Sequence, residues 1–234
     1  MIHNEITVDV ISCTGTDSRA VQSARISLCS DNSENPDHEL NEKDKNLLNF
    51  LIKEGHTSPF EHSIITFKIK CPLFVRNQIM RHRTFSYNEI SRRYTSKDIE
   101  FFVPRRLKKQ ATKNLQCSDG FIDKNTSTFL IADISEHLEN SWALYLKMLD
   151  AGVSKEEARS VFPQSLFTEF WMTGNLLNYI KFLNLRDSSH AQEETQQVAK
   201  QIKIHLRERF PLTMKASFES SDLQKKGPRN PFLK

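Results

Sequence analysis

Apolar and polar residues alternate along several stretches of the chain, and this period of two is typical of strands. Residues 6–11 and 63–71 alternate most clearly, and Pro72 stops the second of these predicted strands. Residues 99–103 form a shorter stretch of the same kind. Residues 166–173 are apolar and aromatic enough for a further strand.

Other stretches repeat their apolar residues every three or four positions, which indicates helices with one buried face. Asp17 or Ser18 is placed to cap the first helix, and Asn175 to cap a later one. Gly55 is placed as the left-handed residue that ends a helix. The predicted helices cover residues 17–26, 47–54, 73–82, 129–149, a short segment around Arg159, 176–185, and finally 191–210.

Three stretches between these elements are predicted to be irregular: a loop at 31–38, a basic segment at 83–94 and a polar connection at 105–125. No repeat or linker marks a domain boundary. We therefore predict a single domain over residues 1–220, followed by a flexible tail over residues 221–234.

The composition describes a folded protein, because 234 residues with 38% hydrophobic content can bury a sizeable core. No apolar run reaches the roughly 18 to 20 residues of a spanning helix, and no signal-peptide pattern follows the N-terminus. We expect a soluble, cytoplasmic protein with no membrane partner.

Cysteine spacing argues against a disulfide framework or a thiolate zinc site, because no CxxC pair occurs. We expect reduced thiols at Cys13, Cys29, Cys71 and Cys117.

Charge is distributed unevenly along the chain. Twelve lysines and arginines face three acidic residues between Lys70 and Lys113, a local charge of +9 within a chain of net charge +4. An anionic ligand is expected there.

Within this basic window lies a string in which arginines flank a histidine and are followed by a carboxylate, a hydroxyl and two more arginines. Guanidinium forks at such spacing suit phosphates and carbonyl-bearing rings. A solvated basic loop or a nucleic-acid patch is the alternative interpretation. The residues concerned are Arg81, His82, Arg83, Glu89, Ser91, Arg92 and Arg93.

The order Arg81-His82-Arg83, seven residues, then Ser91 resembles the signature of the flavin-dependent thymidylate synthases. Residues 55–62, Gly-His-Thr-Ser-Pro-Phe-Glu-His, resemble a second block of that family. Residues 158–163 and 182–192 resemble two more, so the likeness covers about residues 5–218.

The resemblance implies an α+β fold with a mixed sheet and helices, and a catalytic domain whose active site is assembled from more than one subunit of a homotetramer. It implies that dUMP is methylated to dTMP, with 5,10-methylenetetrahydrofolate as one-carbon donor, NADPH as reductant and tightly bound FAD as carrier.

The resemblance also assigns roles to residues. It places these at FAD: His56, Ser58, Arg81, His82, Arg83, Glu89 and Asn175. It places these at dUMP: Gln78, Arg81, Glu89, Ser91, Arg92, Arg93, Arg159 and Arg186.

This chain departs from the family pattern in two places. The Glu193-Glu194 pair replaces the usual aromatic or aliphatic residues near the last block. Leu177 and Lys181 stand where relatives often have a polar or basic flavin contact. No Gly-rich phosphate loop is present either, so side chains must meet the phosphates of FAD.

No cysteine has a histidine near it in sequence, and Cys71 ends a predicted strand, so we expect no thiol nucleophile. The remaining route is electrostatic, and the resemblance places Arg186 where the family has its ring-activating, catalytic arginine. The alternative is an arginine that only offsets a helix dipole, worth about 0.3 to 1 kcal/mol.

Two rival functions remain open: a nucleic-acid module with Phe85, Tyr87 and Tyr94 as stacking aromatics, or a related flavoprotein that lacks methylation. Glu89 within the cluster argues against nucleic acid, and Trp142 and Trp171 lie in apolar patterns typical of core.

A metal site at His56 and His62 is not expected. The two histidines lie six residues apart across a proline, which is neither the helical nor the strand spacing of common ligand pairs.

Overall fold

The computed structural model describes residues 2–27, 39–113 and 117–219. Helices and strands both form there, which confirms the expected α+β class. The strands are β1 Ile2–His3, β2 Thr7–Cys13, β3 Ile64–Pro72, β4 Ser86–Glu89, β5 Phe101–Phe102, β6 Lys108–Gln110, β7 Ser118–Phe121 and β8 Phe167–Asn175. The helices are α1 Asp17–Ile26, α2 Glu42–Glu54, α3 Leu73–Ile79, α4 Lys124–Asp150, α5 Lys155–Ala158, α6 Leu176–Arg186, α7 Glu193–Arg209 and α8 Pro211–Glu219.

A four-stranded sheet has the order β2-β3-β8-β4. Strand β1 pairs in parallel with β5, and β6 pairs antiparallel with β7. Short 3-10 helices cover Ser58–Glu61 and Arg159–Val161. No described helix combines the length and apolar content needed to cross a membrane.

The chain divides into two compact units, each built from separated stretches of sequence. The predicted single domain over residues 1–220 stays a prediction. Unit 1 takes residues 1–7, 69–81 and 88–170, and unit 2 takes residues 8–68, 82–87 and 171–234.

Unit 1 is organised around the long helix α4. Leu138 packs in a buried cluster with residues of β5 and the segment before β8, and Trp142 packs against the cluster from the same helix. Trp142 also stacks on Tyr145 and Phe162. Trp142 therefore has the expected core position, and the tail of α4 is anchored by aromatic contacts.

Unit 2 packs α6, α7 and α8 together, with α1, α2 and α8 in mutual contact. Phe67 of β3 and Tyr179 of α6 are fully buried and meet edge to face, with ring centroids 5.2 Å apart. The Tyr179 hydroxyl donates to the carbonyl of Met172 at 2.6 Å, so the buried phenol is satisfied. Trp171, by contrast, is 50% exposed, so its predicted core position is wrong.

The predicted helix ends are confirmed where the capping residue and its hydrogen-bond partner lie close together in sequence. Gly55 ends α2 with φ of 77°, a left-handed conformation that glycine adopts without a Cβ clash. Asn175 caps α6 by accepting from the Asn178 backbone N–H at 2.9 Å. Asn41 and Asp44 add a capping box at the start of α2.

The predicted cap of α1 is wrong. Thr16 occupies the cap position without a side-chain hydrogen bond, and Asp17 is the first helical residue. The Asp17 carboxylate instead accepts from the backbone N–H groups of Leu212 at 2.8 Å and Thr213 at 3.0 Å. It therefore caps α8, a helix that was not predicted.

Several element boundaries also differ from prediction. Helix α3 ends at Ile79, three residues before the predicted end, so Arg81 lies beyond it. Strand β4 forms inside the segment expected to be irregular, and β6 and β7 form a hairpin inside the predicted polar connection. The predicted loop at 31–38 and the tail at 221–234 lie outside the described residues.

Candidate functional site

Unit 2 brings the histidine of the Arg-His-Arg string against the last residue of α6. The Nε–H of Arg186 donates to Nε2 of His82 at 3.0 Å, although the two residues are 104 positions apart. Asn175 starts this helix with its cap, so the eleven residues of α6 place Arg186 three turns further on. The structure therefore joins a residue that the resemblance places at FAD to one that it places at dUMP.

The charge state of the pair follows from its surroundings. Burial, and then the positive charge of Arg186, lower the pKa of His82 to about 4. Burial also lowers the pKa of Arg186, but a guanidinium remains charged at neutral pH. His82 is thus a neutral imidazole at pH 7 that accepts at Nε2 and carries its proton on Nδ1.

Aromatic packing holds the turn that carries His82. The His82 ring meets Phe182 edge to face at 4.9 Å between centroids, and Phe85 contacts Tyr179 at 4.7 Å. A Cβ on Gly174 would approach a Phe85 ring carbon to 2.4 Å, so only glycine fits beside that ring. Phe85 is therefore a core residue, which removes one stacking aromatic from the nucleic-acid interpretation.

Hydrogen bonds to the backbone support the same turn. The Tyr87 hydroxyl donates to the His82 carbonyl at 3.0 Å, and Asn178 donates to the Thr84 carbonyl at 3.0 Å. Burial raises the pKa of Tyr87 to about 12, so its hydroxyl keeps its proton and remains a donor. The backbone around His82 is therefore held from two sides.

Unit 1 contains a second cluster, centred on Glu89 at the end of β4. The Nε–H of Arg76 donates to Oε2 of Glu89 at 3.0 Å, and a terminal nitrogen of Arg76 contacts the same oxygen. The Thr168 hydroxyl donates to Oε1 at 2.7 Å. Neither Arg76 nor Thr168 was predicted to belong to a site, although Arg76 lies in the basic window.

Three of the residues predicted at dUMP form a further group in unit 1. The Ser91 hydroxyl oxygen accepts from the Arg93 backbone N–H at 3.3 Å, so its own proton remains for donation. Arg93 pairs with the Glu156 carboxylate at 3.2 Å, and Arg159 donates to the Glu156 carbonyl at 3.3 Å. Glu156, which was not predicted, therefore brings the two arginines to one place.

Arg92 has partners of a different kind. Its terminal nitrogens donate to the carbonyls of Lys97 and Asp98, and Asp98 adopts a left-handed conformation with φ of 52°. Burial lowers the pKa of Arg92, and its Nε is buried with no hydrogen-bond partner among the described residues. The guanidinium holds this loop, and its predicted contact with dUMP stays a prediction.

The other residues predicted at the flavin are open to solvent. His56 is exposed and stacks on Phe50, with ring centroids 5.7 Å apart, and Ser58 begins a 3-10 helix. Arg81 and Arg83 are also exposed. Of the residues predicted at the flavin, unit 2 therefore contains His56, Ser58, His82, Arg83 and Asn175, and unit 1 contains Arg81 and Glu89. Gln78, which was predicted at dUMP, is half-buried in unit 1.

Leu177 and Lys181, which stand where relatives often have a polar or basic flavin contact, differ in their surroundings. Leu177 is 4% exposed and belongs to the core, whereas Lys181 is half-buried. Leu177 is thus retained by packing, and no polar contact is available at that position.

The thiol of Cys71 is buried, which bears on whether it can act as a nucleophile. Cys71 has no exposed surface, and burial raises the pKa of its thiol far above the usual range. A thiol in this state is not a nucleophile at neutral pH.

Comparison with known proteins matches this chain to one family. The family model of the thymidylate synthase complementing protein covers residues 9–212. A flavin-dependent thymidylate synthase of Thermosipho africanus is 39% identical over 88% of each chain, and one of Thermotoga neapolitana is 40% identical over 89% of each. A UMP/dUMP methylase, PolB, of Streptomyces cacaoi, solved bound with 5-Br dUMP, gives a TM-score of 0.83 at 28% identity, covering 95% of this chain and 98% of that one.

Proposed function

We propose that this chain, which belongs to the thymidylate synthase complementing protein family, is a flavin-dependent thymidylate synthase that methylates dUMP to dTMP. The proposed co-substrates are 5,10-methylenetetrahydrofolate and NADPH, and the proposed cofactor is FAD. The similar solved structure is that of a UMP/dUMP methylase, and this similarity supports dUMP as the proposed substrate.

The observation that carries this proposal is the contact between His82 and Arg186. The resemblance places His82 at FAD and Arg186 at dUMP, and the fold of unit 2 brings these two residues, 104 positions apart, within hydrogen-bond distance. A solvated basic loop does not predict such a contact, because His82 is half-buried and its ring packs on Phe182 of α6 instead of lying in water.

The side chains present fit a flavin dinucleotide. In unit 2, the exposed guanidinium of Arg83 can pair with a pyrophosphate, and the neutral imidazole of His82 can contact the edge of an aromatic ring system. Ser58 and Asn175 would add a hydroxyl and an amide. When bound and reduced by NADPH, FAD supplies the hydride of a reductive methylation.

Arg186 is the proposed catalytic residue. Negative charge develops on the uracil carbonyls as the ring is activated, and a fixed, half-buried guanidinium stabilises that charge more strongly than water does. The acceptor at His82 holds the Arg186 side chain in one orientation without neutralising it, because the imidazole is uncharged. A carboxylate partner in the same place would reduce the positive field.

The phosphate of dUMP is assigned to the group around Glu156. Ser91 can donate its hydroxyl proton, while Arg93 and Arg159 supply positive charge. Both guanidiniums are exposed, so a nucleotide phosphate can replace the weak surface pair with Glu156.

A covalent cysteine mechanism is not part of this proposal. Cys71 is buried with a raised thiol pKa, and an electrostatic route needs no thiolate. A homotetramer with active sites shared between subunits remains part of the proposal, and light scattering of the purified protein tests it.

The deciding experiment is anaerobic conversion of labelled dUMP to dTMP by the purified protein with FAD, 5,10-methylenetetrahydrofolate and NADPH. We expect a yellow protein whose flavin absorbance bleaches with NADPH in the presence of dUMP, and formation of dTMP. Bleaching without dTMP would identify a flavoprotein that lacks methylation. A colourless protein that binds no flavin would contradict the proposal.

A further inference from the structure

Glu89 is held from two directions within unit 1. Arg76 of α3, thirteen residues earlier, covers Oε2, and Thr168 of β8, seventy-nine residues later, donates to Oε1 at 2.7 Å. An ionised carboxylate has about four lone-pair positions, and these donors use about three of them. The described residues supply no further donor to Oε1, which leaves one of its positions for a donor that arrives with a ligand.

These groups are buried more deeply than a typical surface ion pair, which favours a role in orienting the Glu89 carboxylate. Thr168 is 4% exposed, and the Glu89 and Arg76 side chains are 19% and 30% exposed. A carboxylate that keeps only a small exposed fraction and has both oxygens hydrogen-bonded cannot rotate freely about its terminal torsion. Its remaining lone pair therefore points in one direction.

Simple stabilisation explains this arrangement less well. If the arrangement served only as an ion pair, Arg76 would be sufficient, because its guanidinium already balances the charge of the Glu89 carboxylate. The buried hydroxyl of Thr168 adds no charge, and what it adds is a second anchor that fixes the plane of the carboxylate. Arg76 is itself braced, since it donates to the Asn77 side chain at 3.2 Å, and Asn77 donates to Gln164 at 3.0 Å.

We propose that Arg76 and Thr168 are positioning residues, which orient the Glu89 carboxylate so that its free lone pair accepts one hydroxyl or N–H donor of the bound nucleotide. This inference rests on the proposed function, because it takes Glu89 as part of the dUMP site. It adds Arg76 and Thr168, which lie outside the four family-like blocks described above, and it proposes that the ligand supplies the donor of this hydrogen bond.

The test uses the full-length flavoprotein and compares Thr168→Val with Thr168→Ser. Valine keeps the shape and removes the donor, whereas serine keeps the donor. We expect Thr168→Val to lower kcat/KM for dUMP by about 10-fold or more, the usual effect of a lost hydrogen bond to a charged group. We expect Thr168→Ser to restore kcat/KM to within about threefold of the wild type.

A double-mutant cycle separates orientation from general loss of structure. In a Glu89→Ala background, Thr168→Val should change kcat/KM by less than about twofold, because the hydroxyl then has no carboxylate to orient. Ser141→Ala is the matched control, since Ser141 is also a buried hydroxyl of unit 1 but donates to the Val161 carbonyl at 2.9 Å. It should leave KM for dUMP unchanged.

Arg76→Gln provides a second approach if Thr168→Val unfolds. It should give the same loss in kcat/KM and the same lack of additivity with Glu89→Ala. If the wild type forms dTMP, two results overturn this inference alone. One is full additivity in either double-mutant cycle, and the other is unchanged kinetics of a folded Thr168→Val variant. A wild type that forms no dTMP overturns the proposed function, and this inference with it.

Discussion

Arg186 donates its Nε–H to Nε2 of His82 at 3.0 Å, so the cation is held by an uncharged acceptor. The imidazole stays neutral because burial and the adjacent guanidinium both oppose its protonation. The imidazole adds no negative charge beside Arg186 while it restricts the side chain. It is the arrangement expected of a group that stabilises developing negative charge.

Replacing Arg186 with alanine should lower kcat by about 100- to 1,000-fold, because a positioned donor to developing charge is removed. The dissociation constant for dUMP, measured from the change in flavin absorbance, should rise by less than about fivefold. Arg207→Ala, on the exposed surface of α7, is the control and should change neither quantity. Equal loss in affinity and turnover would assign Arg186 to ground-state binding.

Replacing His82 with glutamine should flatten the dependence of stability on pH between 6.5 and 4. The unfolded chain protonates this histidine near its ordinary pKa of 6.5, whereas the folded protein does so only near 4. The unfolded state therefore binds more protons within that window, and the wild type loses stability as the pH falls through it.

Urea unfolding at several pH values measures this effect, with His137→Gln on the exposed side of α4 as the control. The control should keep the slope of the wild type. Identical slopes for wild type and His82→Gln would show that His82 does not carry the titration.

Replacing Cys71 with alanine should leave kcat within about twofold of the wild type. The thiol is buried and its pKa is raised, so it takes no part in the reaction. Loss of the buried sulfur should cost about 1 kcal/mol in the free energy of unfolding. Cys117→Ala, at a half-buried position, should cost less. A folded, flavin-loaded Cys71→Ala protein without turnover would contradict a mechanism that needs no thiol.

Replacing Asp17 with alanine should weaken the attachment of α8. Its carboxylate accepts from Leu212 N–H and from both the N–H and the hydroxyl of Thr213, the last at 2.6 Å. Losing a helix cap and leaving buried donors unpaired should cost about 2 to 3 kcal/mol in the free energy of unfolding.

Asp9→Ala is the matched control, because Asp9 is 58% exposed and pairs only loosely with Lys68 at 3.5 Å. Its cost should be below about 0.5 kcal/mol. Faster hydrogen exchange confined to α8 in Asp17→Ala would locate the effect, and an equal loss of stability in both variants would contradict it.

Local sequence predicted much of the fold correctly. The strand at β3, the cap at Asn175 and the end of α2 at Gly55 follow from contacts within a few residues, which a single sequence displays directly. Helix α3 was predicted too long because its apolar spacing continues to Met80, while the hydrogen bonds stop where the chain turns towards β4.

The site was predicted as a set of residues but not as a set of contacts. The Arg81-His82-Arg83 string and Arg186 were recognised through a family pattern, since nothing in their spacing connects them. Arg76, Glu156 and Thr168 were missed because each acts through a partner that only the fold supplies.

By itself, the sequence determined most of the longer strands and helices and where a basic window lies, because these depend on neighbours in the chain. Only the tertiary structure decided that Asp17 caps α8, that His82 is neutral beside Arg186 and that Thr168 anchors Glu89. Those outcomes depend on burial and on hydrogen bonds between residues 79 to 196 positions apart. Desolvation and partner choice are properties of packed space and not of local order along the chain.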